Sequence, residues 1–266
     1  MNNNRTIYTM GIDVGSTSSK CVILKDGKEL AGKALVSLGA GTKGPERAWR
    51  DVLVQAGLAD EELAFVLATG YGRNMVDNAD GQMSELSCHA MGAYQLFPDV
   101  HTVIDIGGQD AKALRIGNAG MMENFVMNDK CAAGTGRFLE VMARVLEVDI
   151  NEMAEYSARS EKKVDISSTC TVFAESEVIS QLSNHVDKCD IINGILCSVA
   201  GRTGGLAKRL GIAPKVVMTG GVARNAGVVK ALAEELKTEI FTSPLAQYAG
   251  ALGAALFAYQ KYLKQR

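Results

Sequence analysis

Two short segments of the chain carry an aspartate, glycine and a lysine in the same order. The first is GIDVGSTSSK and the second is VIDIGGQDAK. Asp13 and Asp105 each follow an apolar run, and Lys20 and Lys112 each come seven residues later. Glycine lets the main chain approach a phosphate closely, and consecutive N–H groups can bind its oxygens. The two segments therefore predict a pair of phosphate-binding hairpins.

The first segment offers a carboxylate beside hydroxyl groups and a cation. Asp13 would hold a hydrated Mg²⁺, because carboxylate and water oxygens are the ligands that this ion prefers. Ser16, Thr17 and Lys20 would contact phosphate oxygens through charged and neutral hydrogen bonds. Taken alone, the segment is also typical of a tight turn between two strands.

The second segment and a later one complete this pattern. Asp105 offers a second carboxylate, facing the first, and is followed by a polar turn made of Gly107, Gly108 and Gln109. In VVMTGGVARN a strand ends at Gly220 and Gly221, where a nucleoside could lie against the backbone. Three such segments in this order favour an ATP site over three unrelated turns.

Two cysteines lie in polar surroundings rich in small residues, just before helical patterns. They are Cys131 in NDKCAAGTG and Cys170 in SSTCTVFAESEV. Free N–H groups at a helix N-terminus stabilise a thiolate, so either residue alone would also fit a reactive thiol. Two thiolates cannot complete a [4Fe–4S] cluster, which takes four, whereas a two-fold dimer supplies four. We therefore predict that Cys131 and Cys170 are metal ligands. The other cysteines are predicted to be buried small apolar residues: Cys21, Cys88, Cys189 and Cys197.

The elements that must position these residues alternate between strands and helices, which indicates an α/β protein. Asp13 and Asp105 are 92 residues apart, which predicts duplicated halves. We predict a first half over 1–98, a second half over 99–245 that carries both cluster cysteines, and a helix over 246–266 that packs back on the first half.

The composition excludes several function classes. The chain has 266 residues and a formal net charge of −2, and without a basic stripe we expect no nucleic-acid partner. Its apolar runs are too short to cross a bilayer, so we expect no membrane association. The N-terminus lacks a signal-peptide pattern, which predicts the cytoplasm and free thiols. None of the three histidines lies in a recognisable nucleophile or zinc motif.

GIDVGSTSSK, VIDIGGQDAK and VVMTGGVARN resemble the phosphate-1, phosphate-2 and adenosine motifs of the acetate kinase/sugar kinase/heat-shock chaperone/actin superfamily. GALGAALFAY resembles its closing helix. The resemblance implies two RNase-H-like halves with ATP and Mg²⁺ in the cleft between them. It implies that Asp13 and Asp105 serve Mg²⁺ and the attacking water. The implied phosphate contacts are Ser16, Thr17, Ser18, Ser19, Lys20, Gly107, Gly108 and Gln109. The implied nucleoside contacts are Gly220, Gly221 and Gln247.

A narrower resemblance covers essentially the whole chain. GIDVGST, TGYGR, ELSCHA, NDKCAAGTGRF and STCTVFAESEVISQL together resemble the activators of 2-hydroxyacyl-CoA dehydratases. This resemblance implies a homodimeric ATPase with one [4Fe–4S] cluster per dimer, held by Cys131 and Cys170 of each chain. It implies that the protein receives an electron from a ferredoxin or flavodoxin. ATP hydrolysis would then drive that electron to the dehydratase, component D of the system.

Three alternatives remain open from the sequence. The chain could be the ATPase subunit of a benzoyl-CoA reductase-type complex. It could be a small-molecule kinase that uses the same ATP cleft without a cluster. It could also be a chaperone-like nucleotide switch without a redox function, because the fold by itself does not define the activity.

Overall fold

The computed structural model describes residues 6–166 and 170–266, and within these ranges it has ten β-strands and eight α-helices. The strands are β1 (Tyr8–Val14), β2 (Ser19–Lys25), β3 (Glu29–Val36), β4 (Leu63–Thr69), β5 (Gly81–Gln82), β6 (Thr102–Ile106), β7 (Ala111–Ile116), β8 (Met122–Asn128), β9 (Val216–Thr219) and β10 (Ile240–Phe241). The helices are α1 (Gly44–Ala56), α2 (Glu85–Leu96), α3 (Gly136–Val145), α4 (Met153–Ala158), α5 (Thr171–Ser183), α6 (Lys188–Leu210), α7 (Ala226–Leu236) and α8 (Ala249–Lys264).

The strands form two five-stranded sheets with the same arrangement. The first has the order β3-β2-β1-β4-β5, and the second has the order β8-β7-β6-β9-β10. In each sheet an antiparallel hairpin, β1–β2 or β6–β7, lies beside a parallel strand, β4 or β9. This repeated order confirms the predicted α/β fold with duplicated halves.

The chain divides into two compact units. Unit 1 comprises the residues up to Pro98 together with Gly117–Met122 and Gln247–Arg266. Unit 2 comprises Asp99–Ile116 and Glu123–Ala246. These bounds differ from the predicted ones at Ala246, which belongs to unit 2, and at 117–122, which group with unit 1 because the turn before β8 packs against α2.

In unit 1 the alternation of side chains along β2 explains how the helices cover the sheet. Cys21 and Ile23 belong to the buried cluster that includes α1, whereas Val22 and Leu24 belong to the cluster that includes α8. Successive strand residues point to opposite faces, so α1 and α8 cover opposite sides. The sheet is thereby buried on both faces. Side chains that bind ligands can therefore lie at the ends of its strands.

In unit 2 one large apolar cluster joins the sheet to α3, α5, α6 and α7. Phe138 and Met142 of α3 are fully buried in it, and α6 buries a face over most of its 23 residues. Helix α5 contributes less, because only Ala174 and Val178 of its 13 residues are buried.

Within residues 6–166 and 170–266 the structure has no helix that combines the length and the apolar character needed to cross a bilayer.

Candidate functional site

The first predicted hairpin is formed by β1 and β2, and Asp13 lies opposite Lys20 in its register. The turn is closed by a 3.0 Å hydrogen bond from Gly15 N to Ser18 O. Asp13 is 3% exposed, and its Oδ2 lies 3.2 Å from Lys20 Nζ. Directly opposed residues of an antiparallel pair share one face, so the hairpin itself brings this carboxylate and ammonium together.

The predicted hydroxyl contacts of this hairpin fall into two groups. Ser16 is exposed, and Thr17 and Ser18 are half-buried in the turn. Ser19 is instead the first residue of β2, and its buried hydroxyl donates a 2.8 Å hydrogen bond to Leu38 O. Ser19 thus stabilises the hairpin, and only the first three hydroxyls remain accessible to a ligand.

A histidine that was not among the predicted site residues lies beside Asp13. His89 of α2 is 6% exposed, and its Nε2 lies 4.0 Å from both Asp13 Oδ2 and Glu85 Oε1. A Cβ on Gly250 of α8 would come within 2.8 Å of His89 Nε2 and 2.9 Å of Asp13 Oδ2, so no side chain fits there. Glu85 and His89 are four residues apart in ELSCHA, a spacing that places both on one helix face. That spacing was the available signal, although only the fold brings this face to Asp13.

The second predicted hairpin is formed by β6 and β7, with Asp105 opposite Lys112. Its turn is closed by a 2.9 Å hydrogen bond from Gly107 N to Asp110 O. Asp105 is buried, and its Oδ1 accepts a 2.8 Å hydrogen bond from Thr219 Oγ1 at the end of β9. The parallel pairing of β6 and β9 thus fixes the rotamer of this carboxylate.

Lys112 is buried between two carboxylates. It is 2% exposed, and its Nζ lies 2.8 Å from Asp110 Oδ2 and 3.7 Å from Asp105 Oδ2. A buried ammonium is tolerated when opposite charges compensate it, and here two do so. Gly108 and the exposed Gln109 form the tip of the turn.

Helix α3 begins directly on the turn of the second hairpin. Gly136 N donates a 2.9 Å hydrogen bond to Gly107 O, and Arg137 N donates a 2.8 Å hydrogen bond to Gly108 O. The first N–H groups of a helix lack partners within the helix, and this turn satisfies two of them. A displacement of the turn would therefore be transmitted to the start of α3.

The predicted nucleoside contacts differ in the space around them. Gly220 has φ of +84°, and a Cβ there would come within 2.3 Å of Ile106 O, so glycine is required. At Gly221 a Cβ would meet nothing within 4 Å, which leaves room for a ligand to approach the backbone. In unit 1, Gln247 Oε1 is buried and has no hydrogen-bond partner within the part of the chain that the structure describes.

Cys131 is half-buried and packs against the core of unit 2. It does not lie at a helix N-terminus, because α3 begins only at Gly136. A turn intervenes, in which Thr135 N and Thr135 Oγ1 both donate to Ala132 O, at 3.0 and 2.6 Å. The expected stabilisation of a Cys131 thiolate by the first turn of a helix is therefore wrong.

Cys170 is the N-cap residue of α5, and its carbonyl accepts a 3.0 Å hydrogen bond from Ala174 N. The hydroxyl of the next residue, Thr171, is buried and has no hydrogen-bond partner among the residues described. A hydroxyl in this position can donate to a sulfur ligand, as donors around iron–sulfur clusters do. Helices α3 and α5, which follow the two cysteines, pack against each other.

The six cysteines form no disulfide bond with one another, and the four besides Cys131 and Cys170 are poor candidates for metal ligands. Burial raises the pKa of the Cys21 thiol well above its usual value and that of Cys88 to about 12. Desolvation also raises the pKa of Cys189 and Cys197. Metal ligation requires the thiolate, which a raised pKa disfavours. The predicted burial is wrong for these last two, since Cys189 is half-buried near the start of α6 and Cys197 is exposed.

Among the described residues, no group of three or more histidine, cysteine, aspartate or glutamate side chains could hold a metal ion. Cys131 and Cys170 provide two thiols, half of what a [4Fe–4S] cluster normally takes. The donor type and the orphan hydroxyl of Thr171 fit such a cluster, provided that a second chain completes the ligand set.

Two sheets of equal strand order, each with an Asp-bearing hairpin, define the actin/sugar kinase class of ATPase folds. A glucokinase of the ROK family from Streptomyces griseus shares this fold with a TM-score of 0.59 at 12% identity, covering 95% of this chain and 99% of the glucokinase. Residues 10–258 match the BadF/BadG/BcrA/BcrD ATPase family, and the chain belongs to that family.

Several relatives match over almost the whole chain. The (R)-2-hydroxyglutaryl-CoA dehydratase activating ATPase of Acidaminococcus fermentans is 65% identical, over 97% of this chain and 100% of the relative. The activator of lactoyl-CoA dehydratase of Anaerotignum propionicum is 57% identical, over 97% and 100%. A subunit of the benzoyl-CoA reductase of Thauera aromatica is 33% identical, over 96% and 94%.

Two solved structures of related activators superpose closely. Component A of the A. fermentans (R)-2-hydroxyglutaryl-CoA dehydratase has a TM-score of 0.94 at 66% identity, covering 97% of this chain and 99% of that protein. The activator of the 2-hydroxyisocaproyl-CoA dehydratase from Clostridium difficile, with bound ADPNP, has a TM-score of 0.94 at 53% identity, covering 97% of each.

Proposed function

We propose that this ATPase activates a 2-hydroxyacyl-CoA dehydratase, specifically a 2-hydroxyglutaryl-CoA dehydratase, by delivering one low-potential electron. One observation carries the proposal. Unit 2 contains Cys131, Cys170 and the second Asp-bearing hairpin, and two backbone hydrogen bonds join the hairpin turn to α3. The proposed nucleotide-binding hairpin is thus hydrogen-bonded to the start of α3, the helix that follows Cys131. The dehydratase-activating function of the relatives supports the same assignment.

ATP binds with Mg²⁺ through both hairpins. Asp13 would hold the hydrated Mg²⁺ and Asp105 would orient the attacking water, because both carboxylates are fixed near the ends of buried strands. Lys20 can exchange its Asp13 partner for a phosphate oxygen. The remaining phosphate contacts are Ser16, Thr17, Ser18, Gly107, Gly108 and Gln109.

The nucleoside lies near Gly220, Gly221 and Gln247. The open space at Gly221 supports this assignment, as does the buried Gln247 Oε1, which can accept a hydrogen bond from a ligand. A buried acceptor without a partner costs free energy, and a bound nucleotide would remove that cost.

Cys131 and Cys170 of two chains would together hold one [4Fe–4S] cluster per homodimer. When bound, the cluster supplies a one-electron redox centre. The buried Thr171 hydroxyl, which has no partner among the described residues, would donate a hydrogen bond to a sulfur atom. Val172 and Phe173, which follow Cys170, are 65% and 69% exposed. Apolar side chains at this exposure favour burial against another protein surface, here the second copy.

The chain couples nucleotide and electron through a difference in affinity between two conformations. Each nucleotide must bind one conformation more tightly than the other, because a ligand with equal affinity for both conformations shifts no equilibrium. The hydrogen bonds of Gly136 and Arg137 to the turn are the path by which α3 responds. A ferredoxin or flavodoxin supplies the electron, and the dehydratase, component D, receives it.

The cluster assignment is tested by anaerobic purification of the full chain. We expect about four iron atoms per dimer and a brown colour. Cys131→Ser and Cys170→Ser should lose the iron and keep ATP binding, because neither thiol belongs to the hairpins. Cys197→Ser, at an exposed cysteine on α6, is the matched control and should keep the iron. A colourless wild-type protein from anaerobic cells would contradict the assignment.

The partner is tested by reconstitution with purified dehydratases, ATP and reduced ferredoxin or flavodoxin. We expect ATP-dependent activation of (R)-2-hydroxyglutaryl-CoA dehydratase and weaker activation of lactoyl-CoA dehydratase. Activation that persists with a non-hydrolysable ATP analogue would contradict the coupling to hydrolysis.

A second candidate is the ATPase subunit of a benzoyl-CoA reductase-type complex, which the 33% identity to the T. aromatica reductase component favours. Stable co-purification with large reductase subunits would support it. An activator that only associates transiently with its dehydratase should purify alone.

A further inference from the structure

The segment that leads to Cys170 is anchored on α6 by a single buried carboxylate. Asp190 in the first turn of α6 is 4% exposed. Its Oδ1 accepts three hydrogen bonds: 2.9 Å from Ser160 Oγ, 2.8 Å from Glu161 N and 2.9 Å from Lys162 N. A charged acceptor with three donors forms strong hydrogen bonds and holds three consecutive residues against the helix.

Close packing continues this anchor toward Cys170. A Cβ on Gly194 of α6 would come within 2.3 Å of Val164 O and 3.1 Å of Ile166 Cγ1. Ile166 itself is buried in the core of unit 2. Glycine therefore lets the backbone at Val164 lie directly on α6. Cys170 follows Ile166 after only three intervening residues.

Helix α5 alone holds Cys170 weakly. Only Ala174 and Val178 of this helix are buried, whereas Val172, Phe173 and Ile179 are exposed. Segments with few buried contacts open locally at low free-energy cost. The contacts upstream of Cys170 must then limit its position.

We propose that Asp190 and Gly194 are positioning residues, which hold the segment 160–166 on α6 and so fix where Cys170 presents its thiol. The inference rests on the proposed function for its consequence, because a defined position matters only if Cys170 is a ligand. Neither residue touches the cluster itself. The hydrogen bonds to Asp190 and the close contact at Gly194 together supply the support that α5 lacks.

The test uses Asp190→Ala and Gly194→Ala in the full-length chain. Gly201→Ala is the matched control, since it adds the same methyl group to α6 where nothing lies within 4 Å. Two quantities are measured after iron is removed with a chelator: amide exchange at Glu161 and Lys162, and the alkylation rates of Cys170 and Cys131 by iodoacetamide. Iron content is measured before chelation.

We expect both variants to accelerate amide exchange at Glu161 and Lys162 and the alkylation of Cys170 by about tenfold, through local opening. Cys131 alkylation should change little, and iron content should fall. Gly201→Ala should resemble the wild type. Asp190→Asn, which keeps an acceptor oxygen, should lie between Asp190→Ala and the wild type.

Faster amide exchange without faster Cys170 alkylation would overturn the proposal, because the anchor would then not reach the cysteine. Equal acceleration at Cys131 and Cys170 would also overturn it, since that pattern indicates general unfolding. If the wild type holds no iron, the cluster assignment fails, whereas the alkylation rates still decide whether Asp190 and Gly194 position Cys170.

Discussion

The two Asp-bearing hairpins share their register and their turn but hold their lysines differently. A serine, Ser18, closes the first turn, and an aspartate, Asp110, closes the second. Lys20 therefore has one carboxylate partner and a side chain that is 16% exposed, whereas Lys112 is buried between two carboxylates. The first lysine can leave its aspartate for a ligand, while the second is part of the protein interior.

The turns also differ in what they are attached to. Gly15 O accepts a 2.9 Å hydrogen bond from Ala40 N in a loop, whereas Gly107 O accepts one of the same length from Gly136 N of α3. Two hairpins with similar sequences can thus have different functions. The first is suited to bind the nucleotide, and the second is suited to report its presence to the helix that follows Cys131.

The largest expected effect is a difference in stability between variants of the two lysines. Lys112→Met removes the ammonium that faces the buried Asp105, at similar side-chain volume. We expect the free energy of unfolding to fall by about 3–5 kcal/mol, the cost of leaving a buried charge uncompensated. Lys20→Met should cost less, because the side chain of Lys20 is 16% exposed and water can take the place of the ammonium beside Asp13. Urea unfolding measures both, and equal losses would contradict the difference between the hairpins.

The second prediction is that variants of the two aspartates change different kinetic parameters of ATP hydrolysis. Asp105→Asn should lower the kcat of ATP hydrolysis by about a hundredfold, because an amide cannot accept the proton of the attacking water. Asp13→Asn should raise the Mg²⁺ concentration needed for half-maximal rate. Titration of each variant with Mg²⁺ at saturating ATP distinguishes the two effects. If both variants change only kcat, the assigned division of work is wrong.

The third prediction concerns the attachment of the second turn to α3. Gly136→Ala would place a Cβ 3.2 Å from Gly107 O, so the turn would have to shift against α3 by a few tenths of an ångström. We expect ATP hydrolysis to persist and the ATP-dependent change in iron chelation rate to fall by about tenfold, since the coupling runs through this contact. Gly205→Ala in α6, where a Cβ meets nothing within 4 Å, is the control. Unchanged coupling in Gly136→Ala would rule out this path.

The fourth prediction exchanges the residues that close the turns. Ser18→Asp should give Lys20 a second carboxylate and hold it away from phosphate, so the KM for ATP should rise by about tenfold. Asp110→Ser should leave the KM nearly unchanged and lower the stability, because it removes the nearer of the two carboxylates that compensate the buried Lys112. Steady-state kinetics and urea unfolding of both variants provide the measurement. A larger KM effect from Asp110→Ser would reverse the proposed assignment.

The smallest expected effect is a response of unit 2 to acid. Hydrogen bonds from Lys162 N and from the Ser160 hydroxyl lower the pKa of Asp190, and a hydrogen bond from Lys215 lowers that of Asp99. A carboxyl whose pKa is lower in the folded state stabilises that state above its unfolded pKa of about 3.9, and the stabilisation is lost as the pH falls through the folded pKa.

Amide exchange of Lys162 should therefore accelerate below about pH 4 relative to amides of β1 in unit 1. Asp190→Asn should remove most of this pH dependence, because the amide does not ionise. A variant that keeps the full acid response would show that another group is responsible.

Sequence patterns predicted the hairpins well because strand, aspartate and glycine turn are consecutive in the chain. Antiparallel register then brings Asp13 to Lys20 without any long-range contact. Predictions that depended on distant packing were less successful. Cys197 was expected in the core, yet α6 turns it to the surface, and His89 reaches Asp13 only because α2 and α8 pack together.

The amino-acid sequence by itself determined the duplicated α/β fold, the two aspartates and the two unusual cysteines, since each depends on local order and periodicity. Only the tertiary structure decided which partners these groups have. Thr219 meets Asp105 across 114 residues of chain, and Asp190 reaches back 28 residues to Lys162. Such contacts arise from the packing of whole elements, so no local pattern encodes them.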